Sequence, residues 1–348
     1  MKKIETLVKP YILNLKAYSS ARSEFMADDG IWLDANENNL GNTEYNEQYN
    51  RYPDPQQLQL KSILSEQFSA ISSTQIFIGN GSDEALDLLF RVFIEPGVDA
   101  VAMCSPTYGM YKVLADSHNA EVIDVPLTEE FQLNVEALKA LPNHCKILFL
   151  CSPNNPTGND LKLDDVEQIL ASFSGIVVMD EAYIHFSDQA SWVNRLSEFS
   201  NLVITQTFSK AHGLAGLRVG MAFASPEIIE WLNKVKLPYN MNAEVLRLTE
   251  KYLKNRTPSN AISTIKSERI RLSSALKSNE NISKVFPTSA NFILFSCARS
   301  EELYAYLKNN KVIIRNRKND YPNALRVSIG KPSENNLFLA LIKTFYTS

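Results

Sequence analysis

Apolar positions along the chain follow two rhythms. From about Pro55, Leu58, Leu60, Ile63, Leu64 and Phe68 recur at roughly helical spacing, and Ile76-Phe77-Ile78-Gly79 then reads as a short strand ending in glycine. Ser82 is expected to cap an apolar helix through Leu86, Leu89, Phe90 and Phe93, which Pro96-Gly97 stops. Beyond it, short apolar runs at 100–103, 122–125, 146–150, 175–179, 202–205 and 219–224 alternate with helical stretches, one of them over 111–117. Short apolar strands separated by helices predict an α/β fold with a mostly parallel sheet covered on both faces.

The texture changes past Pro238. Residues 243–278 are long, charged and helical in pattern, and short strands follow at 290–295, 312–315 and 325–329. That pattern predicts a smaller α+β domain. The expected division is an N-terminal arm over 1–35 packing with the small domain, a large domain over 36–240 and a small C-terminal domain over 241–348. Nothing near 240 has the composition of a flexible linker, so the two domains are expected to pack closely.

Composition narrows the function. The 348 residues are 45% hydrophobic and 21% charged with a net charge of −4, which is ordinary for a globular protein and gives no reason to expect nucleic acid or an anionic membrane as partner. Cys104, Cys145, Cys151 and Cys297 have no CxxC or metal-ligand spacing, so they are expected to be buried, reduced thiols, and no metal is expected. Charges and Pro10 interrupt any apolar leader at the N-terminus, and no apolar run approaches the roughly 18 residues of a membrane span. A cytoplasmic location is the expectation.

The chemistry collects where the strands end. In an open α/β sheet, ligands bind beyond the carboxyl ends of the strands. There the chain carries Gly79-Asn80-Gly81-Ser82-Asp83-Glu84, Ser105-Pro106-Thr107-Tyr108, the run from Ser152 to Gly158 (SPNNPTG), Asp180-Glu181-Ala182-Tyr183 and Thr207-Phe208-Ser209-Lys210. These residue types match what pyridoxal 5'-phosphate demands: an amine for covalent attachment, a carboxylate facing the pyridine nitrogen and an anion site. Lys210 is expected to carry the cofactor and Asp180 to keep the ring nitrogen protonated. Tyr183 and Asn155 could both hydrogen-bond the ring's phenolic oxygen. Gly81, Ser82 and Asp83 open a helix whose N–H groups and dipole favour phosphate. Thr207 and Ser209 add hydroxyls, Arg218 adds a forked cation, and Tyr108 is placed to stack on the ring.

With those motifs the chain resembles the fold-type I pyridoxal-phosphate-dependent aminotransferases, and within them the histidinol-phosphate aminotransferase family. The resemblance covers nearly the whole chain. It rests on Leu33-Asp34-Ala35-Asn36-Glu37-Asn38, Arg51-Tyr52-Pro53-Asp54, the GNGSDE turn, SPTYGMY at 105–111, SPNNPTG, DEAY at 180–183, TFSKAHGLAGLRVG at 207–220 and Leu325-Arg326-Val327-Ser328-Ile329-Gly330. It implies a homodimer with a seven-stranded type of large-domain sheet and catalysis by Lys210, Asp180 and Tyr183. Tyr52 would reach the cofactor phosphate of the other subunit. Tyr18, Asn36 and Asn155 would contact substrate, Arg315 would bind the substrate's phosphate, and Arg326 would bind the α-carboxylate of glutamate or 2-oxoglutarate. Arg317 is expected on the opposite strand face from Arg315, in solvent.

Two positions depart from the family pattern. Asn39 and Leu40 stand where proline and an aromatic are usual, and Ala211-His212 follows the lysine where an aromatic is more usual. His212 is expected to be a packed histidine. The implied reaction converts L-histidinol phosphate and 2-oxoglutarate to imidazole acetol phosphate and L-glutamate. An aromatic amino-acid aminotransferase, a threonine-phosphate decarboxylase and a non-catalytic amino-acid sensor of the same fold remain alternatives at this point.

Overall fold

The computed structural model describes residues 3–18, 31–42, 44, 49–68, 71–255 and 260–347. Much of the proposed arm, residues 19–30, lies outside the described residues.

Seven strands form one sheet: β1 (Ile76–Asn80), β2 (Ala100–Met103), β3 (Glu121–Asp124), β4 (Cys145–Cys151), β5 (Ile176–Asp180), β6 (Leu202–Thr207) and β7 (Val219–Phe223), in the order β1-β7-β6-β5-β4-β2-β3. The pairs among β2 to β6 are parallel, while β7 runs antiparallel to both β6 and β1. The central strands are buried along their whole length except at Lys146 near the start of β4. This is why they read as continuous apolar runs and not as alternating ones. Helices cover both faces, and the buried residues fall into two large clusters, one on each side of the sheet.

Helix Ser82–Phe93 places Ala85, Leu86, Leu88, Leu89, Phe90, Val92 and Phe93 in the core. Its cap is Gly81 (φ 77°) and not Ser82, which is the first helical residue. The turn out of β1 needs a left-handed φ that serine would adopt only with strain.

Four strands form the second sheet: β8 (Ile282–Val285), β9 (Phe292–Cys297), β10 (Arg315–Asn316) and β11 (Ala324–Ser328), antiparallel in the order β10-β11-β9-β8. β8 was not legible in the sequence: two of its four residues are exposed and two are polar, so it lacks an apolar run. The strand expected at 312–315 shrinks to Arg315–Asn316. The predicted helical stretch over 243–278 is two helices, Ala243–Lys254 and Asn260–Lys277.

The two parts pack directly. Ser289 N–H donates to Gly158 O at 2.7 Å, Arg269 donates to Phe186 O at 3.0 Å, and Tyr183 meets the edge of Phe292 with ring centroids 5.1 Å apart. The described start of the arm packs elsewhere than expected. Ile4, Leu7, Val8 and Ile12 are buried in the cluster of the large sheet, Lys9 N–H donates to Val92 O, and Lys234 Nζ donates to Leu13 O. An apolar stripe finds its partner in the helices Ser82–Phe93 and Pro226–Val235, and not in the small domain.

All four cysteines are free and buried. Among the described residues no helix is long and apolar enough to cross a membrane, and no cluster has the composition of a metal site.

Candidate active site

A pocket opens beyond the carboxyl ends of β4, β5 and β6. It is lined by Gly81, Ser82, Asp83, Tyr108, Cys151, Asn155, Asp180, Ala182, Tyr183, Thr207, Ser209, Lys210, Ala215 and Arg218. Eleven of these fourteen were singled out in the sequence; Cys151, Ala182 and Ala215 were not. Strand register explains the convergence. Cys151 pairs with Asp180 and Asp180 with Thr205, so residues far apart in sequence end side by side at one rim.

The anion side is built by the crossing of β1 and β7. Gly81 N–H donates to Arg218 O at 2.8 Å, and Arg218 itself has a left-handed φ of 55° that turns it into the pocket wall. A Cβ on Gly220 would stand 2.0 Å from Ser82 N, so the helix start can approach β7 only against glycine. Arg218 Nη1 donates to Ser209 Oγ at 3.3 Å and to Ala215 O at 3.2 Å, while Ser209 N–H donates to Thr207 Oγ1 at 3.1 Å. Two hydroxyls, a guanidinium and the first N–H groups of a twelve-residue helix therefore share one wall.

The opposite wall carries the acid. Asp180 is 3% exposed, with Oδ1 accepting from Ala182 N–H at 3.1 Å and Oδ2 from the Tyr111 hydroxyl at 2.7 Å. Burial is the main force raising its pKa, opposed by those hydrogen bonds. The neighbouring charge that adds to burial is that of Asp83. Asn155 Nδ2 donates to the Tyr183 hydroxyl at 3.5 Å, and Arg326 Nη1 hydrogen-bonds Asn155 Oδ1. Among the described residues, Arg326 Nε is buried without a partner. The Tyr108 hydroxyl donates to Asp83 Oδ1 at 3.3 Å.

Lys210 Nζ lies 5.6 Å from the centre of the Tyr183 ring. Its pKa is lowered, first by burial and then by the charge of Arg326, with Arg218 adding to the effect and Asp180 and Asp83 opposing it. A lysine in that state gives up its proton more readily than one in water.

The donor set fits pyridoxal phosphate. The group needs an amine, a dry carboxylate without a cation of its own, a phosphate cradle and two donors toward one oxygen. Lys210, Asp180, the Gly81–Asp83 turn with Arg218, and Asn155 with Tyr183 stand on the walls of one pocket.

Five residues implied by the resemblance are not in that lining, and one of them, Arg326, meets it through its hydrogen bond to Asn155. Asn36 and Tyr52 line a separate groove with Tyr49, Arg51, Tyr239 and Met241, where Tyr52 stacks on Tyr239 with centroids 4.4 Å apart. Glu37 ties this segment together by accepting from Arg51 at 2.7 Å and from Tyr52 N–H at 2.6 Å. Tyr18 is 76% exposed. Arg315 is exposed, although its register partner is Arg326, which puts both on one face of the small sheet.

Arg317 departs from expectation. Residues two apart share a strand face, and Arg317 is half-buried beside Asp320, Nε to Oδ2 2.8 Å, with its charge felt at Arg326. His212 is packed as expected, against Phe208 and with a ring nitrogen 3.2 Å from the Tyr252 hydroxyl.

Sequence reasoning passed over two side chains of the site. Tyr111 looked like any helical aromatic, because its contact with Asp180 joins positions 69 apart. Glu181 is 1% exposed and accepts from Ser191 Oγ at 2.5 Å, Trp192 N–H at 2.7 Å and Gln206 Nε2 at 2.8 Å, bracing the loop after Asp180 from below. Its position inside DEAY was the only available signal.

Comparison with known proteins agrees with this geometry. The family described as "Aminotransferase class I and II" matches residues 28–342. A histidinol-phosphate aminotransferase of Parabacteroides distasonis is 46% identical over 347 residues, covering 99% of this chain and 99% of that one. Among solved structures, the histidinol-phosphate aminotransferase from Clostridium acetobutylicum superposes with a TM-score of 0.77 at 24% identity, over 85% of this chain and 91% of that one. The histidinol-phosphate aminotransferase from Sinorhizobium meliloti in complex with pyridoxal-5'-phosphate gives 0.75 at 22%, over 85% and 83%. The solved structures speak for the fold; the full-length match at 46% identity and the family match over 28–342 speak for descent. The chain belongs to the class I and II aminotransferases and, within them, to the histidinol-phosphate aminotransferase family.

Proposed function

We propose that the protein transfers the amino group of L-histidinol phosphate to 2-oxoglutarate, giving imidazole acetol phosphate and L-glutamate, as a step of L-histidine biosynthesis. The observation that carries the reading is the convergence of Lys210, Asp180 and the Gly81–Arg218 cradle on one pocket. Pyridoxal phosphate, when bound, supplies a positively charged ring that accepts electrons from the substrate's α-carbon.

The chain's own groups do the rest. The Gly81-Ser82-Asp83 turn, Thr207, Ser209 and Arg218 bind the phosphate of the cofactor. Asp180, ionised, holds the ring nitrogen protonated through a charge-assisted hydrogen bond. Asn155 and Tyr183 would donate to the ring's phenolic oxygen, and Tyr108 would cover a ring face. Lys210 would hold the cofactor at rest, and its amine, when free and unprotonated, would serve as the base at the substrate α-carbon. Its lowered pKa suits it to that work as a general base. Arg326 binds the substrate carboxylate and Arg315 the substrate phosphate, so that one cationic face serves both anions in turn. Their cross-strand pairing supports that division.

The arrangement of the chain follows from the same reading. Residues 36–240 are the cofactor-binding domain and 241–348 the small domain. Two copies form a homodimer in the cytoplasm, with Tyr52 reaching the cofactor phosphate of the other copy and Tyr18 and Asn36 meeting substrate. Exposed Ile31 (90%), Leu33 (76%), Leu40 (95%) and Leu237 (73%) support burial against a second copy.

The test is a half-reaction series. The protein is incubated with pyridoxal phosphate and then with histidinol phosphate, phenylalanine or phosphothreonine, while the visible absorbance is followed. Histidinol phosphate is expected to bleach it fastest, and Lys210→Ala to abolish both the absorbance and turnover. A protein that stays colourless, with no borohydride-fixed label at position 210, defeats the reading. Carbon dioxide release from phosphothreonine would assign a decarboxylase instead.

A further inference from the structure

Tyr111 has no role in the reaction as described, and its surroundings give it one. Its side chain is completely buried in helix Met110–Ser117. Phe149 lies parallel to its ring with centroids 4.7 Å apart and an interplanar angle of 11°, and Tyr108 meets it edge-on at 5.5 Å and 87°. A phenylalanine would make those contacts equally well. The hydroxyl is therefore the informative atom, since a buried hydroxyl costs free energy unless it finds a partner. It donates to Asp180 Oδ2, 2.7 Å away, with the Cys151 thiol as a second neighbour.

Asp180 needs such a donor. Its other oxygen takes the Ala182 N–H, and the Thr205 hydroxyl adds a smaller pull in the same direction. The titratable groups facing it are mostly acidic or neutral. Asp83 approaches from helix Ser82–Phe93, Cys151 from β4, and Glu181, Tyr183 and Tyr108 from the adjoining segments. Lys210 is the cation on the far side of the pocket whose charge is felt there. Burial and Asp83 both push Asp180 toward its neutral form, in which it could not stabilise a cation, while the Tyr111 hydroxyl pulls the other way.

We propose that Tyr111 is a positioning residue of this active site, whose hydroxyl anchors one oxygen of Asp180 and keeps the carboxylate ionised and aimed into the pocket. The proposal rests on the reading of Asp180 as the group that faces the cofactor's ring nitrogen. Tyr111 acts through Asp180 and touches neither substrate nor cofactor.

Tyr111→Phe tests it, with folding checked by thermal melting. Two readouts separate positioning from packing. The first is the protonation of Asp180 in the ligand-free protein, followed by infrared difference spectroscopy and identified by the band lost in Asp180→Asn. Tyr111→Phe is expected to move that titration upward by about one pH unit, the tenfold scale of one hydrogen bond to a charged group. The second is the dissociation constant of pyridoxal phosphate, expected to weaken by roughly tenfold, with the acid limb of the kcat/KM profile moving to higher pH and the KM for glutamate little changed. An unmoved titration and an unmoved dissociation constant overturn the proposal. A wild-type protein that binds no pyridoxal phosphate overturns the reading of the site instead. Should Tyr111→Phe fail to fold, the wild-type protein still decides: Asp180 is expected as a carboxylate at neutral pH, and a neutral acid there overturns the assignment.

Discussion

Gly81 and Arg218 are mutually dependent: a Cβ at position 81 would stand 2.8 Å from Arg218 Nη2, and the φ of 77° with ψ of 166° at Gly81 belongs to backbone that only glycine adopts without strain. Gly81→Ala is therefore expected to cost about 1–3 kcal/mol of stability and to push the guanidinium off the cradle. The measurement is thermal unfolding alongside titration with pyridoxal phosphate. Loss of stability with unchanged affinity would separate Arg218 from phosphate binding.

Asn240 links the cradle to the chain around Pro55. Its Nδ2 donates to Ile78 O at 3.1 Å and Glu84 Oε1 at 3.0 Å, its Oδ1 accepts from Gln57 at 3.1 Å, and its carbonyl accepts from Asn80 at 2.7 Å. Glu84 in turn holds Asn80 N–H at 2.5 Å. Asn240→Ala strands partly buried partners and is expected to destabilise the protein by about 2–3 kcal/mol. Because the turn from Asn80 to Asp83 loses its support, cofactor affinity is expected to fall in the same variant. An unchanged denaturation midpoint would show that the link bears no strain.

Glu181 makes stability depend on pH. Burial pushes its pKa up to about 7, against an ordinary value of 4.5, and the hydrogen bonds from Ser191, Trp192 and Gln206 oppose that only in part. Between these values the folded protein holds a proton that the unfolded chain has released. Its contribution to stability is thus full below about pH 4.5 and is lost as pH rises toward 7, at up to about 1.4 kcal/mol per pH unit. Glu181→Gln cannot ionise, so its stability relative to wild type is expected to rise across that window. Denaturant melts at pH 5, 6 and 7 measure it, and parallel curves for the two proteins would contradict the assignment.

Arg315 and Arg326 face the same side of the small sheet, yet only Arg326 is tied to the pocket, through Asn155. Arg315→Ala is expected to raise KM for histidinol phosphate by roughly tenfold or more, the scale of one charge-assisted hydrogen bond, with little effect on glutamate. Arg326→Ala removes the carboxylate site of glutamate and also the bond that holds Asn155 in the pocket wall, so it is expected to damage both substrates. Equal damage to both from Arg315→Ala would remove its assigned role in binding phosphate.

The sequence by itself determined the parts whose causes are local. Buried parallel strands are apolar along most of their length, so β2, β4, β5 and β6 stand out as runs, and a ligand site at their carboxyl ends places polar residues at or just after the end of each run. Lys210, Asp180, Asn155, Tyr183 and the Gly81–Asp83 turn were legible for that reason. Tertiary structure alone decided what depends on juxtaposition. It paired Tyr111 with Asp180 and Asn240 with Glu84, it reversed β7, and it laid Ile4, Leu7, Val8 and Ile12 against the large sheet's helices. It also left Asn36 and Tyr52 in a groove of their own and gave β8 an edge position that needs no apolar run. Periodicity reports which face of an element is buried; which partner covers that face is set by packing between segments distant in sequence, and no local pattern encodes it.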